Sequence, residues 1–114
     1  MIFPSGKVIV ADQLPDSDPQ KAVLVKYAND YESKYEIAPV TFGGHAWDAV
    51  KLAVQIMGKV GTDRAKIRDE LEKTQGFVGI GGVFDFSAKD HNGLDTRAIT
   101  MVQIRDGAWK LADQ

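Results

Sequence analysis

The longest apolar stretch of the chain runs from Ala46 to Met57 and predicts a helix that other parts of the structure cover on most sides. Its polar residues recur at intervals of three and four, at Asp48, Lys51, Gln55 and Lys59. That spacing confines them to one narrow stripe of a helix, so the rest of its circumference is apolar. We expect this central helix to begin at Thr41 or at the Gly43-Gly44 pair, and to end near Gly58 or Gly61.

Two flanking patterns predict further helices. Asp18 followed by Pro19 is typical of a helix start, and the residues after it place one aromatic-rich stripe on the inner face. That stripe consists of Leu24, Tyr27, Ala28, Tyr31 and Tyr35. A third, amphipathic helix is predicted over Arg64–Thr74, capped by Thr62 or Asp63, with ion pairs Arg68–Glu72 and Asp69–Lys73 at a spacing of four residues. Between the first two helices Pro39 imposes extended backbone and marks a candidate hinge.

The remaining apolar runs are short and predict strands. The first is the β-branched run Lys7–Ala11. Two segments around Gly81-Gly82, 77–80 and 83–86, predict a tight hairpin, and a polar loop follows over Ser87–Asp95. The final hairpin is predicted from strands 98–104 and 108–111 around the turn Asp106-Gly107. Three helices with short strands and a C-terminal hairpin place the chain in the α/β class.

Composition excludes several classes of function. The 114 residues fit one domain, and a net charge of −2 gives no basic field for nucleic acid or an anionic membrane. No apolar run is long enough to span a bilayer, and the first residues carry no signal-peptide pattern. Cysteine is absent, which removes disulfides, Cys-ligated zinc and thiol nucleophiles. No phosphate-binding loop, dinucleotide fingerprint or nucleophile motif is present, so we predict neither an enzyme nor a cofactor.

The entry to the central helix is the candidate site. An aromatic-Gly-Gly-His stretch, 42–45, can hold a small ligand against helix N-terminal amides. It can equally be a flexible turn in which the glycines only let the chain bend. His45 and Asp48, three residues apart, fit either two ligands of a metal or a hydrogen-bonded capping or hinge pair. Further metal ligands are missing from the sequence, so no metal site is predicted. The turn residue His91 is expected to bond to the backbone.

Five stretches together resemble one family. They are Asp12–Pro19, Thr41–Ala49, Gly76–Ser87, Asp90–Leu94 and Asp106–Lys110. In this order they are similar to the C-terminal part of type I periplasmic solute-binding proteins, in the branch of ABC-transporter receptors that binds leucine, isoleucine, valine and related aromatic acids. The resemblance covers nearly the whole chain.

The resemblance implies part of a two-lobe fold that closes on a ligand at a hinge. It assigns residues 1–36 to the second lobe, 37–43 to a crossing, 44–93 to the first lobe and 94–114 to a return into the second lobe. The crossing coincides with the hinge predicted independently at Pro39. Most of the family's first-lobe sheet, and its hydroxyl clamp for the ligand carboxylate, have no counterpart here. The expectation is therefore a truncated chain.

By resemblance, the function is binding of a branched-chain amino acid or related carboxylate for an ABC importer, with a membrane permease as partner and the periplasm as location. Phe42, His45 and Trp47 are the predicted ligand contacts, the two aromatic rings by apolar contact and His45 by hydrogen bond. A sensor module of the same fold and a ligand-free dimerising fragment are the alternatives. Because an incomplete cleft exposes the apolar central helix, we expect the chain to pair with a second copy, with exchange of elements as one route to the pair.

Overall fold

The structure is a computed structural model that describes residues 1–112. Its α-helices are α1 (Lys21–Tyr35), α2 (Thr41–Val60) and α3 (Arg64–Glu72). Its strands are β1 (Ile2–Gly6), β2 (Phe77–Val78), β3 (Val83–Phe84), β4 (Ile99–Arg105) and β5 (Ala108–Leu111). Two 3₁₀ segments, Lys7–Gln13 and Thr96–Ala98, complete the regular structure. The predicted α/β composition of three helices, short strands and a C-terminal hairpin is confirmed.

The two ends of the chain form one antiparallel sheet with the order β1-β4-β5. Ile2 pairs with Gln103 and Gly6 with Ile99, so the first strand lies along the last hairpin. Pro4 is accommodated because β1 is an edge strand, where a missing N–H costs no ladder bond. Asp106 and Gly107 both have positive φ in the turn between β4 and β5, which confirms the predicted hairpin.

The predicted strand over Lys7–Ala11 is wrong, because these residues form 3₁₀ turns. Val8, Ala11 and Leu14 are buried, and their spacing of three matches the three residues per turn of a 3₁₀ helix. The ammonium group of Lys7, itself buried, pairs with the Asp18 carboxylate at 2.7 Å. The β-branched composition indicated a strand, but the burial period is that of a tight helix.

The helices begin and end close to their predicted positions. Regular α1 starts two residues after Pro19, and Asp18 accepts a hydrogen bond from the Gln20 backbone N–H at 2.9 Å. Helix α2 starts at Thr41 and ends at Val60, with Gly61 as its C-cap, so both ends lie at predicted sites. The Asp63 side chain caps α3 by accepting from the Lys66 N–H at 3.0 Å.

Two predicted side-chain arrangements on the helices differ from the structure. The tyrosine stripe of α1 faces inward only in its first half, since Tyr27 is buried whereas Tyr35 is 53% exposed. On α3 the predicted Arg68–Glu72 ion pair forms. Lys73, however, pairs with Glu70 and not with Asp69.

The core joins parts of the chain that are distant in sequence. It lies between the first 3₁₀ segment, α1 and the turn after β2, and it consists of Val8, Ala11, Leu14, Leu24, Tyr27 and Ile80. Ile80 belongs to this core although it sits in a glycine-rich turn, so the β2–β3 hairpin is anchored to α1. The turn of this hairpin also bonds to α2, through the Ile80 and Gly81 N–H groups and the Asp48 carboxylate.

Candidate functional site

The start of α2 packs directly on the turn of the β2–β3 hairpin because glycines remove the side chains that would separate them. Gly44 is buried, and a Cβ built there would lie 2.3 Å from the Ile80 Cγ2. A Cβ at Gly81 would lie 2.6 Å from the His45 ring, and one at Gly79 would lie 2.6 Å from the Asp48 carboxylate. Gly44 on the helix and Gly79 and Gly81 on the turn therefore permit a close contact between α2 and the hairpin.

Asp48 is the polar link in this contact. It is buried at 4% exposure, and its two carboxylate oxygens each accept a backbone hydrogen bond of 2.7 Å, from Ile80 N–H and Gly81 N–H. Burial raises the pKa of the Asp48 carboxyl, while the two backbone bonds and the nearby His45 oppose that shift. Asp48 is therefore bonded to the hairpin turn, and the hydrogen-bonded pair of His45 with Asp48 stays a prediction.

Gln20 holds the same turn from the opposite side. Its side chain is 1% exposed, and its amide donates to the Gly79 carbonyl at 3.0 Å and to the Ile80 carbonyl at 3.4 Å. The turn is thus held by an acceptor on α2 and a donor just before α1. This three-way junction connects the segment before α1, the start of α2 and the hairpin, and we call it the hinge junction.

A cavity of about 570 Å³ opens beside the hinge junction, and we call it the hinge cavity. Its volume lies within the size range of small-molecule sites. The start of α2 contributes Thr41 and His45, which lie one helical turn apart on the same face. The segment before β4 contributes Asn92, Thr96 and the Asp95 carboxylate, which accepts hydrogen bonds from Arg97. Val40 gives the first turn of α2 no side-chain cap.

The structure separates the three residues predicted from the sequence to contact ligand. His45 is exposed and lines the hinge cavity. Trp47 lies on another face of α2, where its ring is 5.7 Å from that of Tyr27 and it lines a different cavity of about 600 Å³ between α1 and α2. Phe42 is 82% exposed. Only His45 is therefore placed in the hinge cavity.

An aromatic series connects α1 to α2. Tyr35, Tyr31, Tyr27 and Trp47 follow one another with ring centroids 4.7, 5.8 and 5.7 Å apart. Gly43 leaves room for the Tyr27 hydroxyl, which would lie 3.1 Å from a Cβ at that position. Burial raises the pKa of Tyr27, and the Tyr27–Trp47 contact joins the series to α2.

Other candidates from the sequence have structural partners. His91 Nε2 lies 3.0 Å from a carboxylate oxygen of Glu72, so the predicted backbone bond is replaced by a contact with α3. Within residues 1–112 no group of three or more potential metal ligands comes together. In the same part of the chain no helix is long and apolar enough to cross a membrane.

Sequence reasoning missed Gln20, Thr41 and Ile80. A polar residue directly after an Asp-Pro helix start gives no sign that it bonds a turn about sixty residues later. Thr41 offered a clearer signal, because the predicted start of the central helix placed it one turn before His45. Ile80 was hidden by its glycine neighbours, which predict an exposed turn and not a core position.

Comparison with known proteins gives structural relatives alone. No protein-family profile and no curated protein sequence matches the chain. An extracellular ligand-binding receptor from Rhodopseudomonas palustris HaA2 is 30% identical, with a TM-score of 0.82 over 97% of this chain and 33% of that one. A second receptor of the same description and strain is 24% identical, with a TM-score of 0.85 over 99% of this chain and 34% of that one.

A leucine-binding protein, LivK, from Thermotoga maritima MSB8 is 18% identical, with a TM-score of 0.71 over 99% of this chain and 30% of that one. The chain thus spans about a third of the length of the structures it matches. As predicted, these structures are ligand-binding receptors and not enzymes. The resemblance seen in the sequence motifs is confirmed at the level of the fold: over 97–99% of its length the chain has the fold of part of the extracellular ligand-binding receptors and of the leucine-binding protein.

Proposed function

We propose that this chain is a ligand-binding portion of an extracellular or periplasmic solute receptor, which binds a small carboxylate-bearing molecule without converting it. The observation that carries the proposal is the match, at 30% identity and a TM-score of 0.82, between nearly all of this chain and an extracellular ligand-binding receptor. Branched-chain amino acids and related aromatic acids are the proposed ligand class, since one matched structure is a leucine-binding protein.

The proposed lobe assignment follows the division made from the sequence. Residues 1–36 and 94–114 belong to the second lobe, 44–93 to the first, and 37–43 to the crossing. The pairing of β1 with β4 supports it, because it brings both proposed second-lobe segments into one sheet. The hinge junction, where Asp48 and Gln20 hold the same turn, then lies between the lobes.

The hinge cavity is the proposed ligand site. The Thr41 hydroxyl and the His45 ring, which line this cavity, can donate hydrogen bonds to a carboxylate, and the uncapped first turn of α2 is proposed to add backbone amides. His45 is the central proposed contact because the structure places it in this cavity. Phe42 and Trp47 remain proposed apolar contacts from the sequence, but Phe42 is exposed outside this cavity and Trp47 lines the cavity between α1 and α2.

We further propose that the receptor delivers its ligand to the permease of an ABC importer, and that the chain by itself forms a homo-oligomer. In a hinged receptor the ligand shifts the equilibrium between open and closed lobes, and a membrane partner distinguishes these two states. Gene neighbours that encode a permease and an ATPase would support the importer role. A neighbouring kinase or regulator would instead support a sensor.

Isothermal titration calorimetry of the purified chain against leucine, valine and benzoate tests the binding proposal. We expect heat of binding from at least one of these ligands. The variant His45→Ala should weaken binding about tenfold or more, which corresponds to the loss of one charge-assisted hydrogen bond. The matched control is His91→Ala, because His91 contacts Glu72 outside the cavity. Phe42→Ala and Trp47→Ala test the two apolar contacts. Absence of heat with all three ligands would refute the proposal.

A further inference from the structure

The polar loop over Ser87–Asp95 contains the pair Asn92-Gly93, and Asn92 lines the hinge cavity. Asn92 is exposed to solvent, whereas Gly93 is buried. An asparagine that precedes glycine loses its side-chain amide most readily, because no side chain on the next residue obstructs attack by that residue's backbone nitrogen. The pair is therefore a candidate for spontaneous chemical modification.

The fold requires glycine at position 93. Its φ is +69°, a left-handed conformation that other residues rarely adopt, and a Cβ there would lie 2.8 Å from the Phe86 ring. The Gly93 carbonyl also accepts a hydrogen bond from the Asp85 N–H at 2.8 Å. A side chain at position 93 would strain the loop, so protection of Asn92 has to come from another residue.

Deamidation of this pair needs water but no enzyme. The Gly93 backbone nitrogen gives up its proton and attacks the Asn92 Cγ. The bond from Cγ to the side-chain nitrogen breaks, and that nitrogen leaves with the proton as ammonia. One water molecule then opens the resulting succinimide ring at either carbonyl, which leaves aspartate or isoaspartate at position 92. The reaction therefore depends on loss of the Gly93 proton.

The Asp90 carboxylate holds that proton in place. Its Oδ1 accepts hydrogen bonds from the Gly93 N–H at 3.1 Å and from the Asn92 N–H at 2.9 Å. The bond to a carboxylate stabilises the protonated nitrogen, and the negative charge disfavours the anionic nitrogen that has to form beside it. Both effects slow attack on the Asn92 Cγ.

We propose that Asn92 is a deamidation site and that the Asp90 carboxylate slows the reaction by holding the Gly93 N–H. Asp90 acts through Gly93 and is a positioning residue in this reaction. The product adds a carboxylate to the hinge cavity, whose wall already contains Asp95. Deamidation therefore makes the cavity less favourable for an anion.

Mass spectrometry of the purified chain, incubated at neutral pH for several weeks, is the first test. Deamidation raises the mass by about one dalton, and peptide mapping assigns the change to Asn92. The folded wild type should deamidate several-fold more slowly than the same chain unfolded in guanidinium chloride, where the Asp90 bond is lost. Asn29, the other asparagine of the chain, is the internal control and should stay unmodified in the folded chain because it lies inside α1. Equal rates at Asn92 in the folded and unfolded chain would overturn the proposal.

Variants of Asp90 test the bond itself by the same measurement. Asp90→Ala should deamidate at Asn92 about fivefold faster than the wild type, because the Gly93 N–H loses its acceptor. Asp90→Asn keeps an acceptor oxygen and should deamidate at Asn92 more slowly than Asp90→Ala. Far-UV circular dichroism checks that each variant is folded, and Asp90→Leu, which also lacks an acceptor, replaces Asp90→Ala if that variant is not. A folded variant without the acceptor that deamidates at the wild-type rate would overturn the proposal.

Ser87→Ala separates this bond from general loosening of the loop. The Ser87 hydroxyl accepts from the Lys89 and Asp90 N–H groups, so its removal weakens the same loop but leaves the Gly93 bond. Ser87→Ala should therefore deamidate close to the wild-type rate. If it deamidated as fast as Asp90→Ala, loosening of the loop would explain both variants and the role of Asp90 would be refuted.

Asn92→Asp reproduces the charge of the product and tests its effect on the cavity. Calorimetry with the ligand among leucine, valine and benzoate that gives heat with the wild type should show binding weakened about fivefold. Unchanged affinity would refute the effect on the cavity. This measurement rests on the proposed function, whereas the mass measurements need no ligand, so failure of one is distinguishable from failure of the other.

Discussion

Gly44 and Gly58 lie on the same helix, and replacing each with alanine should move stability in opposite directions. Alanine is favoured over glycine within a helix by about 1 kcal/mol. At Gly58 nothing lies within 4 Å of a new Cβ, so Gly58→Ala should stabilise the fold by about 0.5–1 kcal/mol. At Gly44 the new Cβ would lie 2.3 Å from the Ile80 Cγ2, more than 1 Å inside the ordinary contact limit of 3.4 Å.

The contact at Gly44 cannot be relieved by a simple side-chain rotation. Ile80 is 3% exposed, and its own Cβ would lie only 3.0 Å from the new methyl group. The turn that carries Ile80 is also held by Asp48 and Gln20. Overpacking of this kind costs about 1–3 kcal/mol, which exceeds the gain in helix propensity. We therefore expect Gly44→Ala to destabilise the fold by up to about 2 kcal/mol.

Urea unfolding followed by circular dichroism measures both variants, compared as midpoints at an unchanged slope. Ile80→Ala removes the Cγ2 atom in the contact, so Gly44→Ala should cost less in that background than in the wild type. If Gly44→Ala were as stable as Gly58→Ala, the start of α2 would not pack on the hairpin turn as described. The close contact between Gly44 and Ile80, on which the description of the hinge junction depends, would then be wrong.

Three further variants test the polar contacts of the junction and the chain start. Burial raises the folded-state pKa of Asp48 above its ordinary value of 3.8. At pH values between 3.8 and the raised folded-state pKa, the native state binds more protons than the unfolded state. The contribution of Asp48 to stability therefore falls as pH rises through this range. In urea titrations at several pH values, the stability of the wild type relative to Asp48→Asn should decrease as pH rises above 3.8; a relative stability that increases would contradict this. In the same assay Gln20→Leu should lower the free energy of unfolding by about 1–3 kcal/mol, because the buried carbonyls of Gly79 and Ile80 lose their donor. The control Gln75→Leu removes an exposed hydrogen bond and should lower it less. Equal losses for the two variants would contradict the role of Gln20. Lys7→Met leaves the Asp18 carboxylate, at 11% side-chain exposure, without its cation and should lower the free energy of unfolding by about 3 kcal/mol. The control Lys26→Met breaks an exposed ion pair and should lower it by less than about 0.5 kcal/mol. Similar shifts in melting temperature for the two variants would refute this expectation.

The elements that could be predicted from the sequence are those with local signals. Helix α2, the Asp63 cap and the Asp106-Gly107 turn each follow from residues close to one another in the chain. The 3₁₀ segment was missed because β-branched residues favour strands, whereas tertiary packing of Val8, Ala11 and Leu14 selects a period of three. The hinge junction could not be predicted, since Gln20 and Ile80 meet only through long-range folding. For the same reason the sequence grouped Phe42, His45 and Trp47, which the helix distributes over different faces.

The two faces of α2 explain why one helix organises the chain yet remains incompletely covered. The inner face uses glycine, aspartate, leucine and isoleucine at every fourth position, and the first two of these, Gly44 and Asp48, bond or fit the hairpin turn. The inner face is specific, because the buried Asp48 carboxylate and the space left by Gly44 both match the hairpin turn. The opposite face is apolar and lacks such features: Val50 and Val54 there are 63 and 58% exposed. Helix α2 therefore combines a specific inner face, which holds the hinge junction, with an apolar outer face that the described part of the chain leaves exposed.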